Sequence, residues 1–186
     1  VRVSFGGAIL GIGVLYLWLA EFPLRAGEAW AWWTFLVSGT LGFATFLTYL
    51  GYGYLDSWHG AATLVLLPIY ALGMYRSIRI LPAEYSVRTL FRSGAPSSWT
   101  TNYGLGRRLL LVTSLCLVLG GLFIMTVGMT TVFVPEDLEF MNLCVEDLQA
   151  VNPRLVPLIA HDRAGFGGGV WCCGVSMFFC IFCTGP

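Results

Sequence analysis

The chain contains no lysine, and charged residues of any kind make up only 11 % of its 186 residues. A soluble domain carries about 25 % charged residues. At less than half that density there is too little polar surface to coat a globule in water. Acidic and basic residues balance at a formal net charge of zero, so nucleic-acid binding has no electrostatic basis. Histidine occurs only as His59 and His161. No Ser-His-Asp, His-Glu-x-x-His or paired-carboxylate pattern occurs, which leaves no recognisable hydrolytic set. No basic flank followed by an apolar run and a cleavage site marks a secretory signal peptide. Valine as first residue fits an alternative start codon or a fragment, and a last apolar run stopping at Thr184-Gly185-Pro186 without a polar flank leads us to expect a chain that continues beyond that end.

Apolar residues are abundant, at 57 % of the chain with a mean hydropathy of +0.77. They gather in five runs, at about 3–20, 29–55, 60–75, 109–134 and 164–186. A helix of about 20 apolar residues crosses a hydrocarbon core of ~30 Å. The runs are continuous and show no period-two alternation, which predicts helices rather than barrel strands. The expected fold is therefore all-α: one polytopic membrane domain, a bundle of about five transmembrane spans. Trp30, Trp32 and Trp33 open the second run, and Tyr49, Tyr52, Tyr54 and Trp58 follow it. Trp and Tyr favour the headgroup layer.

Charge between the runs predicts orientation. Residues 76–108 hold Arg76, Arg79, Arg88, Arg92, Arg107 and Arg108 against Glu84 alone. Residues 135–163 hold Glu136, Asp137, Glu139, Glu146, Asp147 and Asp162 against Arg154 and Arg163. Basic short loops stay cytoplasmic, so 76–108 is expected inside and 135–163 outside, with the N-terminus outside. A bacterial inner membrane is the expected location. The outer segment should carry short surface helices. Pro135-Glu136-Asp137 reads as a helix start with acids at the positive end of the dipole, and a second helix is expected over Val145–Val151. Asn152-Pro153 reads as the cap and first residue of a third.

Small residues suggest helix packing. Gly7 with Gly11 and Ser38 with Gly42 are small-x-x-x-small pairs; Gly120, Gly121 and Gly128 thin the fourth run, and Gly167 and Gly168 open the fifth. Such residues let backbones approach closely.

The candidate site is polar and lies at the expected outer face. Asp56 precedes His59 by one turn, and His161-Asp162-Arg163 precedes the glycine-rich Ala164–Gly169. Imidazole and carboxylate suit Zn, Mn or Fe, so Asp56, His59, His161 and Asp162 could hold a metal if the two turns meet. The plainer reading is two separate interfacial histidines. Arg163 is expected to pair with Asp56, with Asp162 and solvent as rival partners. The glycine-rich stretch lacks the Lys-Ser/Thr of a phosphate loop, which excludes nucleotide. Cys172, Cys173, Cys180 and Cys183 fall in the fifth run, where Cys180-Ile-Phe-Cys183 has Cys-x-x-Cys spacing. An apolar setting disfavours thiolates, so packing is the plainer role for them. Charges are absent from the five runs, which weighs against an ion-coupled transporter. Two peripheral histidines are too few for transmembrane haem. A lipid, quinone or pigment could sit in an aromatic groove near Trp30–Trp33 or Tyr49–Trp58, although aromatic belts explain those clusters more simply.

The stretches Gly51–Gly60 and Asn152–Gly169, which contain both histidines, resemble uncharacterised multi-pass bacterial membrane proteins, some of them with dihydroorotate dehydrogenase-like descriptions. The resemblance implies a membrane fold and no function. No flavin-binding barrel is present here, so that activity is not carried over. The expected role is a non-catalytic accessory or structural subunit of a larger membrane complex, respiratory or photosynthetic, with the bilayer and other membrane subunits as partners. The alternative is a membrane enzyme or redox or metal-binding protein with an outward site at the two histidines.

Overall fold

The computed structural model describes residues 2–48, 53, 54, 57–82, 85–94, 98 and 100–184. Among them are seven α-helices and no strand: α1 (Arg2–Leu19), α2 (Ala29–Thr48), α3 (Ser57–Ser77), α4 (Asn102–Met129), α5 (Pro135–Met141), α6 (Val145–Val151) and α7 (Leu155–Cys183). Four stretches are long and apolar enough to cross a membrane: Val3–Leu24, Ser57–Ile80, Asn102–Met129 and Leu155–Cys183. A wide π turn, Ala20–Leu24, prolongs α1 around Pro23, which cannot donate to a normal helical ladder. Gly27 then turns the chain into α2 with φ of 79°. A side chain there would be strained and would also meet the Ile80 carbonyl at 3.1 Å.

α2 is the interior helix. Its tryptophans, threonines and serine lower its hydropathy, and the bundle covers them: Trp30, Trp32, Thr34, Ser38 and Thr45 are all buried. Thr34 and Ser38 return their hydroxyl protons to the carbonyls of Trp30 and Thr34, at 2.8 and 2.7 Å. The Trp32 indole donates to the Met74 carbonyl of α3 at 3.2 Å.

α7 is the hub, packing on α1, α2 and α4, while α3 lies on α2. Glycine makes the α4–α7 approach close. Gly121 and Gly128 are seven residues apart, as are Gly167 and Gly174, and two turns return a helix to the same face. A Cβ at Gly174 would meet the Val118 amide at 2.6 Å, and one at Gly128 the Ala164 amide at 2.7 Å. Cβ atoms at Gly121 and Gly167 would strike each other's helix backbone. Ser114, seven residues before Gly121, is fully buried. Gly168 faces Thr45 of α2; Gly42 faces Cys172 at 3.3 Å and Gly11 faces Cys173 at 3.7 Å. Gly7 and Gly120 face open space, where a Cβ at either would have nothing within 4 Å. The Gly7–Gly11 spacing therefore makes no packing pair in this bundle.

The bundle buries polar side chains and leaves many apolar ones outside. Its largest fully buried side chains are Leu19, His161, Thr34, Ser38, Ser114 and Ser176, whereas Leu10, Leu17, Leu64 and Phe123 are each more than 60 % exposed.

Charge is divided between the two ends. At one end the Arg107 guanidinium donates to the Ile181 and Phe182 carbonyls at 3.1 and 2.9 Å. It satisfies the last turn of α7 and lies favourably at the negative end of its dipole. The Gly94 amide also donates to Phe182, at 2.8 Å, and Leu90 packs with Leu19, Trp30 and Ala31. The segments carrying Arg25, Arg76, Arg79, Arg88, Arg92, Arg107 and Arg108 meet here. At the opposite end α5 and α6 lie over the start of α7, joined by Val132, Phe133, Leu148 and Ala160.

The third short helix is not separate. Asn152 closes a turn by accepting from the Arg154 amide at 2.9 Å, and α7 then runs unbroken from Leu155 to Cys183. Pro157 falls in its first turn, where an amide proton has no helical partner to lose. The glycines at 165–169 are held helical by the neighbours they allow to approach.

Candidate functional site

Two histidines 102 residues apart meet. His59 stands in the first turn of α3 and His161 in the second turn of α7. The Nδ1 of His59 and the Nε2 of His161 are 2.9 Å apart, with ring centroids separated by 4.9 Å. One ring donates and the other accepts, so the tautomer of each is tied to the other. His161 is only 2 % exposed. Tyr54 lies against it at 5.2 Å between centroids, and Phe5 of α1 meets His59 edge-on at 6.1 Å.

The other candidate residues divide. Arg163 donates to the Oδ2 of Asp137 at 2.6 Å, and its guanidinium carbon lies 5.7 Å from the Phe133 ring centroid. The same Asp137 oxygen accepts from the Val134 amide at 3.0 Å, so one carboxylate starts α5 and neutralises α7. Asp137 had no signal in the sequence beyond its place in a short helix. Asp56, the partner expected for Arg163, lies outside the described residues. Asp162 is half-buried beside these groups on α7. Among the described residues no group of three His, Cys, Asp or Glu side chains is placed to hold a metal ion. The arrangement shown is a hydrogen-bonded imidazole pair.

A groove opens beside the pair. It lies between α1 and α3 with α2 and α7 as its floor, has a volume of about 400 Å³, and is lined by Phe5, Tyr16, Phe43, His59, Thr63 and Leu66 among others. Gly39, Gly42, Gly165 and Gly169 keep it open. Among the described residues no Arg, Asp or Glu lines it. At its far end the Tyr16 hydroxyl lies 2.8 Å from the Ser38 hydroxyl. A second cleft, of about 650 Å³, lies between α1 and α4 and is lined by Leu15, Trp18, Tyr103, Arg107, Leu110 and Met177 among others. The two groove locations expected from aromatic clusters fare differently. Trp30 and Trp32 are core residues, Trp58 is exposed, and Tyr49 and Tyr52 lie outside the described residues.

Three cysteines of α7 donate to carbonyls of neighbouring segments. Cys172 reaches Ser38 at 3.1 Å and Cys173 reaches Ala8 at 3.3 Å, while Cys183 lies 3.6 Å from the Leu90 carbonyl. Outside the long helices, Cys144 and Asp147 form a local unit. The Asp147 carboxylate accepts the Cys144 amide at 2.8 Å and its thiol at 2.9 Å. That thiol bond holds the Asp147 carboxyl below its usual range and pushes the Cys144 thiol above its own.

Comparison with family models, with curated proteins and with solved structures finds no match for this chain.

Proposed function

We propose that the chain is an integral membrane protein, with five helices crossing a bacterial inner membrane, and that it serves as a non-catalytic subunit of a larger membrane assembly of respiratory or photosynthetic type. The pattern of burial carries the membrane reading. Thr34, Ser38, Thr45, Ser114, His161 and Ser176 are buried beside the apolar core, while leucine, valine and phenylalanine side chains stand exposed along the outside. Helices in lipid associate through close backbone approach and interhelical hydrogen bonds, since lipid already solvates the apolar side chains. α2, at 20 residues, is about 30 Å long. It joins the other four long helices as a fifth span, with Thr34, Ser38 and Thr45 facing inward.

The subunit reading rests on what the charged groups do. Arg107 caps a helix and Arg163 neutralises an N-terminal carboxylate; both are engaged in holding the fold. α4 packs on α7 and turns Leu109, Val112, Leu119 and Phe123 outward, a broad flank for lipid or a neighbouring subunit. Extraction in mild detergent should give co-migration with other membrane proteins at a fixed ratio. A stable lone monomer under those conditions would overturn the assembly reading.

The contact between His59 and His161 favours a second reading, a redox or metal site at the outer end. Metal analysis of the purified protein tests its metal form. A stoichiometric ion that is lost in His161→Ala supports it, and an ion content below stoichiometry sinks it.

A further inference from the structure

We propose that the cleft between α1 and α4 seats an anionic phospholipid of the leaflet at the arginine end, with its phosphate on Arg107 and its chains against α1 and α7. This rests on the membrane reading and not on the subunit role.

The cleft is built from three helix faces. α7 packs on both α1 and α4, and Met177 and Ile181 of α7 form the floor between them. Tyr103, Gly106, Arg107 and Leu110 share one face of α4 and make one wall; Leu15 and Trp18, three residues apart on α1, make the other. The α4 wall runs from the second residue of the helix for two turns, about 10 Å. A Cβ at Gly106 would have nothing within 4 Å, so the space beside it is open. The volume of about 650 Å³ lies within the ~300–1,000 Å³ typical of small-molecule sites. Leu17 and Leu109 beside the cleft are exposed, which leaves its outer side to the bilayer.

One cation faces this apolar space. Arg107 is the charged side chain among the described residues that line it. Its Nε donates to the Ile181 carbonyl, and its Nη2 to the Ser93 hydroxyl and the Phe182 carbonyl. Those acceptors are neutral, so among the described residues the guanidinium meets no carboxylate. It has five N–H donors, and Nη1 makes none of these three bonds. Of the acids at this end, Glu21 is taken by Arg25 and Glu28 is exposed; neither lines the cleft. Glu84 lies outside the described residues.

A phosphodiester supplies the missing charge and matches the guanidinium fork. Basic pockets between membrane helices take anionic headgroups in this way. Free phosphate would gain the one cation and lose its water against leucine, tryptophan and methionine, which is costly. A lipid phosphate brings chains that those walls suit. Phosphatidylcholine carries a phosphate too, but it also brings a quaternary ammonium to the end where the arginines of 76–108 gather. Trp18, the second-last residue of α1, and Tyr103, the second of α4, stand at this end. Such rings favour the headgroup layer, which sets the phosphate level with Arg107.

The test is native mass spectrometry of the full chain released from nanodiscs of equimolar phosphatidylglycerol and phosphatidylcholine. One phosphatidylglycerol retained per chain is expected, about tenfold over phosphatidylcholine, the scale of one hydrogen bond to a charged group. Gly106→Phe, which fills the cleft from α4, should abolish that retention. Arg107→Gln should leave the two lipids equally retained. Arg88→Gln, exposed and outside the lining, should keep the preference. Equal retention by the parent chain overturns the proposal. So does a Gly106→Phe protein that folds and still prefers phosphatidylglycerol. A loss of preference in Arg88→Gln as large as in Arg107→Gln also overturns it, by assigning the effect to the whole basic end. Arg107 closes the last turn of α7; if Arg107→Gln fails to fold, as a melting curve would show, Gly106→Phe decides alone. A chain that does not enter the nanodiscs overturns the membrane reading and the lipid site with it. A chain that enters and shows no preference overturns the lipid site alone.

Discussion

Arg163 of α7 and Asp137 of α5 form an ion pair at 2.6 Å, with side chains 20 % and 31 % exposed. The pair joins α5 to the hub helix α7 just beyond the end of α4. Partial burial makes loss of one partner costlier than the pair's own net worth, because the group left behind has neither water nor counter-charge in full. Arg163→Ala should lower stability by about 1–3 kcal/mol. Asp137→Ala should cost more, since it also removes the acceptor for the Val134 amide. Thermal unfolding in detergent measures both. Equal costs for the two variants would mean that the cap at Val134 contributes nothing.

The glycines of α4 supply an internal control. Gly121 sits against the α7 backbone and Gly120 faces open space. Gly121→Ala and Gly167→Ala should each destabilise by about 1–3 kcal/mol through overpacking. Gly120→Ala and Gly7→Ala should be neutral or slightly stabilising, since alanine is the better helix former by ~1 kcal/mol. Melting temperatures that fall equally for adjacent positions 120 and 121 would refute the seam.

Much of this architecture is legible in the sequence because it is written in local patterns. Each of the five apolar runs falls on a long helix, although α4 begins at Asn102 and α7 at Leu155, well before the runs expected at 109 and 164, and Pro135-Glu136-Asp137 and Val145 open the two short helices where their first-turn acids place them. The boundary before α7 is less legible. Asn152-Pro153 looks like a helix start, but a three-residue turn intervenes, and nothing after Leu155 is strong enough to end a helix once α4 and α2 pack against it. Partners in space are harder still to read. Ser38, Gly42, Gly121, Gly167 and Gly168 carry a spacing signal, but spacing does not tell which face of a helix is covered, and Gly7 has the same signal with no neighbour. Arg163 finds Asp137 through the fold of the α4–α5 turn, where Val132 adopts a left-handed φ of 66°, a conformation that sequence gives no reason to expect of valine.

The Cys144–Asp147 unit predicts a pH-dependent reactivity. Hydrogen bonding to the carboxylate raises the thiol above its ordinary range, so less thiolate is present at a given pH and alkylation is slowed. In a background without the other cysteines, Asp147→Ala should shift the alkylation profile of Cys144 toward lower pH. An unshifted profile would show that the thiol does not bond to the carboxylate in solution. The linked stability has the opposite limb. The Asp147 carboxyl is held below its usual range, so its contribution is present above the unfolded value and is lost as pH falls through the folded one.

The division of charge between the two ends of the bundle predicts its orientation. The arginines of 76–108 gather where α4 begins and α7 ends, and the acids of 135–163 gather where α4 ends and α7 begins. A bilayer with its cytoplasmic face toward the arginines satisfies the rule that basic segments are not translocated. Ser93 and Gln149 are exposed at these two ends. Single cysteines placed at each, in a chain without the native ones, report the sides directly. An impermeant maleimide added to intact cells should modify Gln149→Cys and leave Ser93→Cys unmodified until the membrane is opened. The reverse pattern would invert the topology and place the histidine pair on the cytoplasmic side. Labelling of both in intact cells would mean that the two ends are not separated by a membrane, and with that the five-span reading would fall.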